Sequence, residues 1–184
     1  MAADDRAARE ALRARQGSGA RYDAETAPQY DLLLARRGTA YFSRKLGELA
    51  DGNLSAPSLR DGWSRRRLIA DVSHRARALA LALKALREPL IPDEAEWRPD
   101  LDLAETLPPR ALRHLYDHSA KHLDVEWRDL PAASWEDGRV ELDGTTVAAR
   151  ETARLRAFEI WHAAVDLGNG GRRSDIPQGL RKPS

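Results

Sequence analysis

Apolar side chains recur every three or four residues in four long stretches of this chain, the spacing of helices that bury one side. The first stretch predicts a helix from about Ala27 to Ala50, carrying Tyr30, Leu33, Leu34, Tyr41, Leu46 and Leu49, with Gly38 a weak point inside it. The second starts where Ser64 follows "DGW" and can cap the free amides of the turn opening at Arg65, and it runs to about Arg87. Leu68, Val72, Leu79, Leu83 and Leu86 gather on one of its faces. At about 100° per residue, Asp71 lies roughly 80° from the centre of that face and His74 roughly 140° away, pointing outward.

A connection rich in proline and acid, "EPLIPDEAEWRPDLDLAETLPP", precedes a third helix from about Arg110 to Arg128 with Leu112, Leu115, Tyr116, Leu123 and Trp127 on its apolar side. "GRVELDGTTVA" then reads as a short hairpin, because Asp143-Gly144 suits a tight type I′ turn. The fourth helix spans about Ala149 to Leu167 and stops at "GNGG". The expected fold is therefore all-α, a four-helix bundle with one long crossover and a small β-hairpin before the last helix. Residues 1–26 read as an extension with a loosely attached charged helix over 3–16, residues 27–170 as the bundle, and residues 171–184 as a tail.

Composition narrows the function classes. The 184 residues suit one domain, and 30 basic against 29 acidic side chains leave no basic field for nucleic acid. There is no cysteine, so any thiol chemistry needs an external thiol. No segment reads as a secretory leader or a membrane span, which predicts a cytoplasmic protein. Neither a phosphate loop nor a G-x-S-x-G elbow is present. The expected partner is a small molecule, with a homodimer left open.

The candidate chemistry sits on the fourth helix. Leu155, Phe158, Glu159, His162, Val165 and Asp166 fall within a sector of about 120°, which places two acids and a histidine on the apolar face. A carboxylate buried there needs a partner, and a metal, an arginine or pocket water would each serve. Glu159-x-x-His162 has the spacing by which bundle helices offer two ligands to one ion, and Asp71-x-x-His74 repeats it. His114, His118 and His122 form a slanting row that cannot all reach one ion. Such a row either lines a cleft, with His118 and His122 on the substrate, or faces solvent.

From Tyr41 onward, "LSAPSLRDGWSRRRLIADVSHRARALA", "TLPPRALRHLYDHSAKHLDVEWRDLP" and "ARETARLRAFEIWHAAVDLGNG" resemble, in order and spacing, the metal-binding N-terminal domain of mycothiol-dependent maleylpyruvate isomerases, within the DinB-like fold. The resemblance implies a bundle that holds one divalent metal, usually zinc, through His, Glu and His. That metal would activate mycothiol for addition to a maleyl double bond. Glu159 matches the family's glutamate, but Asp71 and Ala163 stand at its two histidine positions, with His162 one place early. Asp71, Glu159 and His162 are then the expected catalytic or metal residues, and Arg98 corresponds to a family arginine that meets substrate carboxylate. The family's C-terminal domain has no counterpart in these residues. Two further readings stay open: a metal-independent acid-base isomerase or cyclase of a biosynthetic pathway, and a small-molecule-binding protein without catalysis.

Overall fold

The computed structural model describes residues 22–182, so the helix expected over 3–16 lies outside the described residues. In chain order the elements are α1 (Gln29–Gly47), α2 (Arg65–Lys84), the short α3 (Pro92–Glu96) and α4 (Leu101–Glu105), α5 (Pro109–Asp129), the short α6 (Ala132–Asp137), β1 (Arg139–Leu142), β2 (Thr145–Ala148) and α7 (Thr152–Asp166). The four long helices and the hairpin are those the periodicity predicts. Three short helices inside the connections were not foreseen. No helix among the described residues is long and apolar enough to cross a membrane.

Local chemistry sets the boundaries. Ser64 is extended and its Oγ accepts from the Arg67 amide at 3.0 Å, which fixes the start of α2. Pro109 opens α5, where its missing N–H leaves no bond unmade. The hairpin pairs Leu142 with Thr145 across Asp143 and Gly144, both with positive φ, as a type I′ turn requires. Gly168, at φ 66°, stops α7.

Side-chain bonds give the helix directions. Arg66 reaches the carbonyls of Glu105 and Leu107 at one end of α2, and Arg87 reaches Glu126 at the other, so α2 and α5 run parallel. Parallel neighbours need a crossover, and residues 85–108 supply it. The indole of Trp161 donates to Leu34 O and Asn169 donates to Lys45 O, so α1 and α7 are also parallel. The two pairs oppose each other, since Arg156 bonds Val72 O while Arg65 bonds Leu167 O.

The buried faces of α1 and α7 correct the expectation. Leu32, Leu34, Ala35, Gly38, Phe42 and Leu46 are buried on α1, whereas Tyr30 is 69% and Leu33 43% exposed. On α7 the buried residues are mostly small, Ala153, Ala157, Ala163 and Ala164 beside Ile160 and Trp161, while Leu155 and Phe158 are exposed. The reason is distance. A Cβ on Gly38 would lie 2.5 Å from Ile160 Cγ2, so the helices meet where side chains are smallest and bulk is pushed to the flanks.

Candidate active site

Asp71 projects from α2 toward α7 and is 6% exposed. Its carboxylate accepts from Arg75 Nε at 3.1 Å, one helical turn along, and from Arg60 Nη1 at 3.0 Å, in the loop before α2. Arg60 rests on the ring of Trp63 and also approaches Asp166 at 3.9 Å. From α7, Glu159 places Oε1 3.9 Å from the same Arg75 Nε and Oε2 3.2 Å from Arg156 Nη1. Two carboxylates from two helices thus flank one guanidinium.

Burial raises the pKa of Glu159 above its ordinary value, against the attraction of Arg156 and Arg75. Its Oε1 is buried and accepts no hydrogen bond among the described residues. His74 is half-buried rather than outward-pointing, because the crossover lays Trp97 edge-on against it at 5.6 Å. Burial, and then the charge of Arg77, lower its pKa, which keeps the imidazole neutral near pH 7.

A cleft of about 650 Å³ opens beside this cluster, between α2, the crossover and the hairpin turn. Arg67, Asp71, His74 and Arg75 line one wall, residues 98–102 the other, and Asp143 the end. The structure thus brings Asp71 and Arg98 onto one cleft. Arg98 donates to the carbonyls of Ala95 and Trp97, and among the described residues it has no carboxylate partner. Arg67 and Arg75, in contrast, already hold Asp102 and Asp143.

The other expected residues lie elsewhere. His162 shares its Nδ1 with Phe158 O at 2.7 Å, packs on the Phe158 ring and lines a separate cavity of about 370 Å³ with Asp166 and Arg173. One position of displacement on α7 has carried it away from Glu159's partners. On α5, His118 is exposed and His122 pairs with buried Glu126 at 3.3 Å; neither lines the cleft. The residues missed from the sequence were Arg60, Arg75 and Arg156. Two were signalled by helical spacing, Arg75 four places after Asp71 and Arg156 three before Glu159.

A divalent ion here would need several donors converging on one point. Among the described residues no group of three or more His, Cys, Asp or Glu is so arranged. Arg75 stands between Asp71 and Glu159, Arg60 and Arg156 take their other oxygens, and buried Ala163 offers no donor. An ion at that place would meet cations rather than ligands. The residues present do not fit the metal that the resemblance implies.

The family model described as the mycothiol maleylpyruvate isomerase N-terminal domain matches residues 35–168. Crystal structures of the mycothiol-dependent maleylpyruvate isomerase and of its histidine-to-alanine mutant are each 35% identical to this chain, with a TM-score of 0.73. Each match covers 83% of this chain and 65% of the solved one, so the likeness spans just under two thirds of those proteins. No curated protein matches.

Proposed function

The chain belongs to the mycothiol maleylpyruvate isomerase N-terminal domain family, with the DinB-like bundle expected of it, and from that membership we propose an isomerase-type protein acting on a small acidic, conjugated molecule in the cleft beside α2. The observation that carries this reading is the placement of Arg98 and Asp71 on one cleft. Among the described residues Arg98 has no carboxylate to neutralise it, and it offers its charge to a substrate carboxylate.

The chain's own residues supply the remaining functions. Arg98 is left to meet negative charge on a substrate oxygen, while Arg75 ties Asp71, Glu159 and Asp143 together at the cleft wall. Asp71 holds that guanidinium in place. His74 lines the same wall as a neutral imidazole, the form that accepts a proton. Glu159, whose carboxyl keeps its proton more readily than an ordinary one, stands behind Arg75 as a proton reservoir.

If isomerisation proceeds by thiol addition, the sulfur comes from outside this cysteine-free chain. Mycothiol, named in the relatives, is the expected donor. The thiolate adds to the double bond, the electron pair moves onto the conjugated carbonyl oxygen, the former double bond rotates, and expulsion of the thiolate restores it. In this chain the developing charge falls to Arg98, so the proposed reaction is metal-independent.

Calorimetry with maleate as probe tests the site, and absorbance assays of maleylpyruvate with and without mycothiol test the activity. The expected results are saturable maleate binding, and turnover that needs mycothiol but not added zinc. Binding without turnover under any condition would instead support a ligand-binding protein. Absence of both would remove the cleft as a functional site.

A further inference from the structure

A second concavity lies between α1 and α5, lined by none of the residues that line the cleft beside α2, with a volume of about 540 Å³. Small side chains create it: Thr39, Ala40 and Ser43 on α1 face Ala120 on α5, with Leu123 and Trp127 as an apolar wall. Arg156 of α7 also lines it and is only 2% exposed. Its Nη1 is held by Val72 O at 3.1 Å and by Glu159 at 3.2 Å. Its Nε and Nη2 are buried and, among the described residues, have no hydrogen-bond partner. The indole Nε1 of Trp127 is likewise buried without a partner.

Buried donors are normally satisfied, because leaving them unpaired costs stability. Here three unpaired donors from two helices belong to residues lining one groove. Nε and Nη2 form one edge of a guanidinium, the edge that grips a carboxylate with two parallel hydrogen bonds. The lining carries four basic side chains, Arg36, Lys121, Arg128 and Arg156, against the two acids Asp117 and Asp124. Asp23, Asp124 and Glu159 already hold Arg36, Arg128 and Arg156, so the preference for an anion comes from the unused edge of Arg156 rather than from net charge, and the volume is within the range of small-molecule sites.

We propose that this groove is a second ligand site, taking a small monocarboxylate with an apolar body. The carboxylate pairs with the Nε–Nη2 edge of Arg156, and the body packs against Leu123 and Trp127. The Arg156 Nη1 stays on Val72 O and Glu159, so the guanidinium is held from inside the bundle while its other edge is used.

Nitrogen-15 NMR reads both donors directly, through the Trp127 indole and Arg156 Nε–H resonances. Titration with hexanoate is expected to move both saturably, while hexanol, with the same chain and no charge, moves neither. Ala120→Leu fills the groove without touching Arg156 and abolishes the response. Arg156→Met weakens hexanoate binding by about tenfold or more. Maleate bound in the α2 cleft does not compete, so each site can fail independently of the other. Resonances that ignore hexanoate, respond equally to hexanol, or respond unchanged in Ala120→Leu would overturn the proposal.

Discussion

Asp71 and Glu159, on different helices, face the same nitrogen: Arg75 Nε lies 3.1 Å from one carboxylate and 3.9 Å from the other. A shared cation lets two acids approach across a bundle, but it does not fully offset the burial of Glu159, whose pKa is raised. The unfolded chain therefore gives up this proton first as pH rises through 4.5, and stability is lost until the folded carboxyl also ionises. Glu159→Gln, which fixes the neutral form, is expected to be more stable than the parent at neutral pH and equal to it well below 4.5. Urea titrations across pH check the sign.

Glu126 supplies the opposite case within the same fold. Burial pushes its pKa up, but hydrogen bonds from His122 and Arg87 outweigh this and hold it below 4.5. Its stabilisation is present above 4.5 and lost as pH falls through the lower folded value. Glu126→Gln should cost roughly 2 kcal/mol at neutral pH, with the gap closing in acid. The same urea series reads it, and a parallel response of the two glutamine variants would contradict the assigned environments.

Because arginines occupy the place between Asp71 and Glu159, zinc should not stabilise this protein at that site. A ligand bound only by the folded state adds about 2.7 kcal/mol at a hundredfold excess over its Kd, which a melting curve detects readily. The expected outcome is a Tm unmoved by zinc or by EDTA, with no stoichiometric metal after dialysis. A zinc-dependent rise in Tm that Glu159→Gln abolishes would show that Arg75 swings aside for an ion.

Gly38 sits where α1 meets α7, and an added methyl would come within 2.5 Å of Ile160 and 2.8 Å of Trp161. Helix propensity alone favours Gly38→Ala by about 1 kcal/mol. Overpacking costs about 1–3 kcal/mol and opposes it. Net destabilisation is expected because Ile160 and Trp161 are themselves buried and have little room to yield. A calorimetric Tm above the parent's would mean that the helices separate at little cost.

Gly38 also shows how far the sequence could be read. The four long helices, the Ser64 cap and the Asp143-Gly144 turn are local features, and each is found where expected. The buried faces of α1 and α7 are not local, since close approach selects Ala and Gly there while bulky Leu155 and Phe158 stay outside. Periodicity that follows bulky residues therefore selects the wrong side of α7, and with it His162. The site divides along the same line. Asp71 and Glu159 were legible as candidate acids on the second and last long helices, whereas their arginine partners depend on which helices pack together.

That division bears on ligand binding. If Arg98 is the anion contact and His162 belongs to another cavity, the two substitutions must part company. Arg98→Ala should weaken maleate binding by about tenfold or more, the worth of one charge-assisted hydrogen bond. Its stability should be nearly unchanged, because the side chain is exposed and holds only nearby carbonyls. His162→Ala should leave maleate affinity within twofold, since the imidazole bonds and packs on Phe158 and lines a different cavity. Calorimetric titrations of both variants give the comparison, and the reverse order of effects would move the site from the α2 cleft to the cavity around His162 and Arg173.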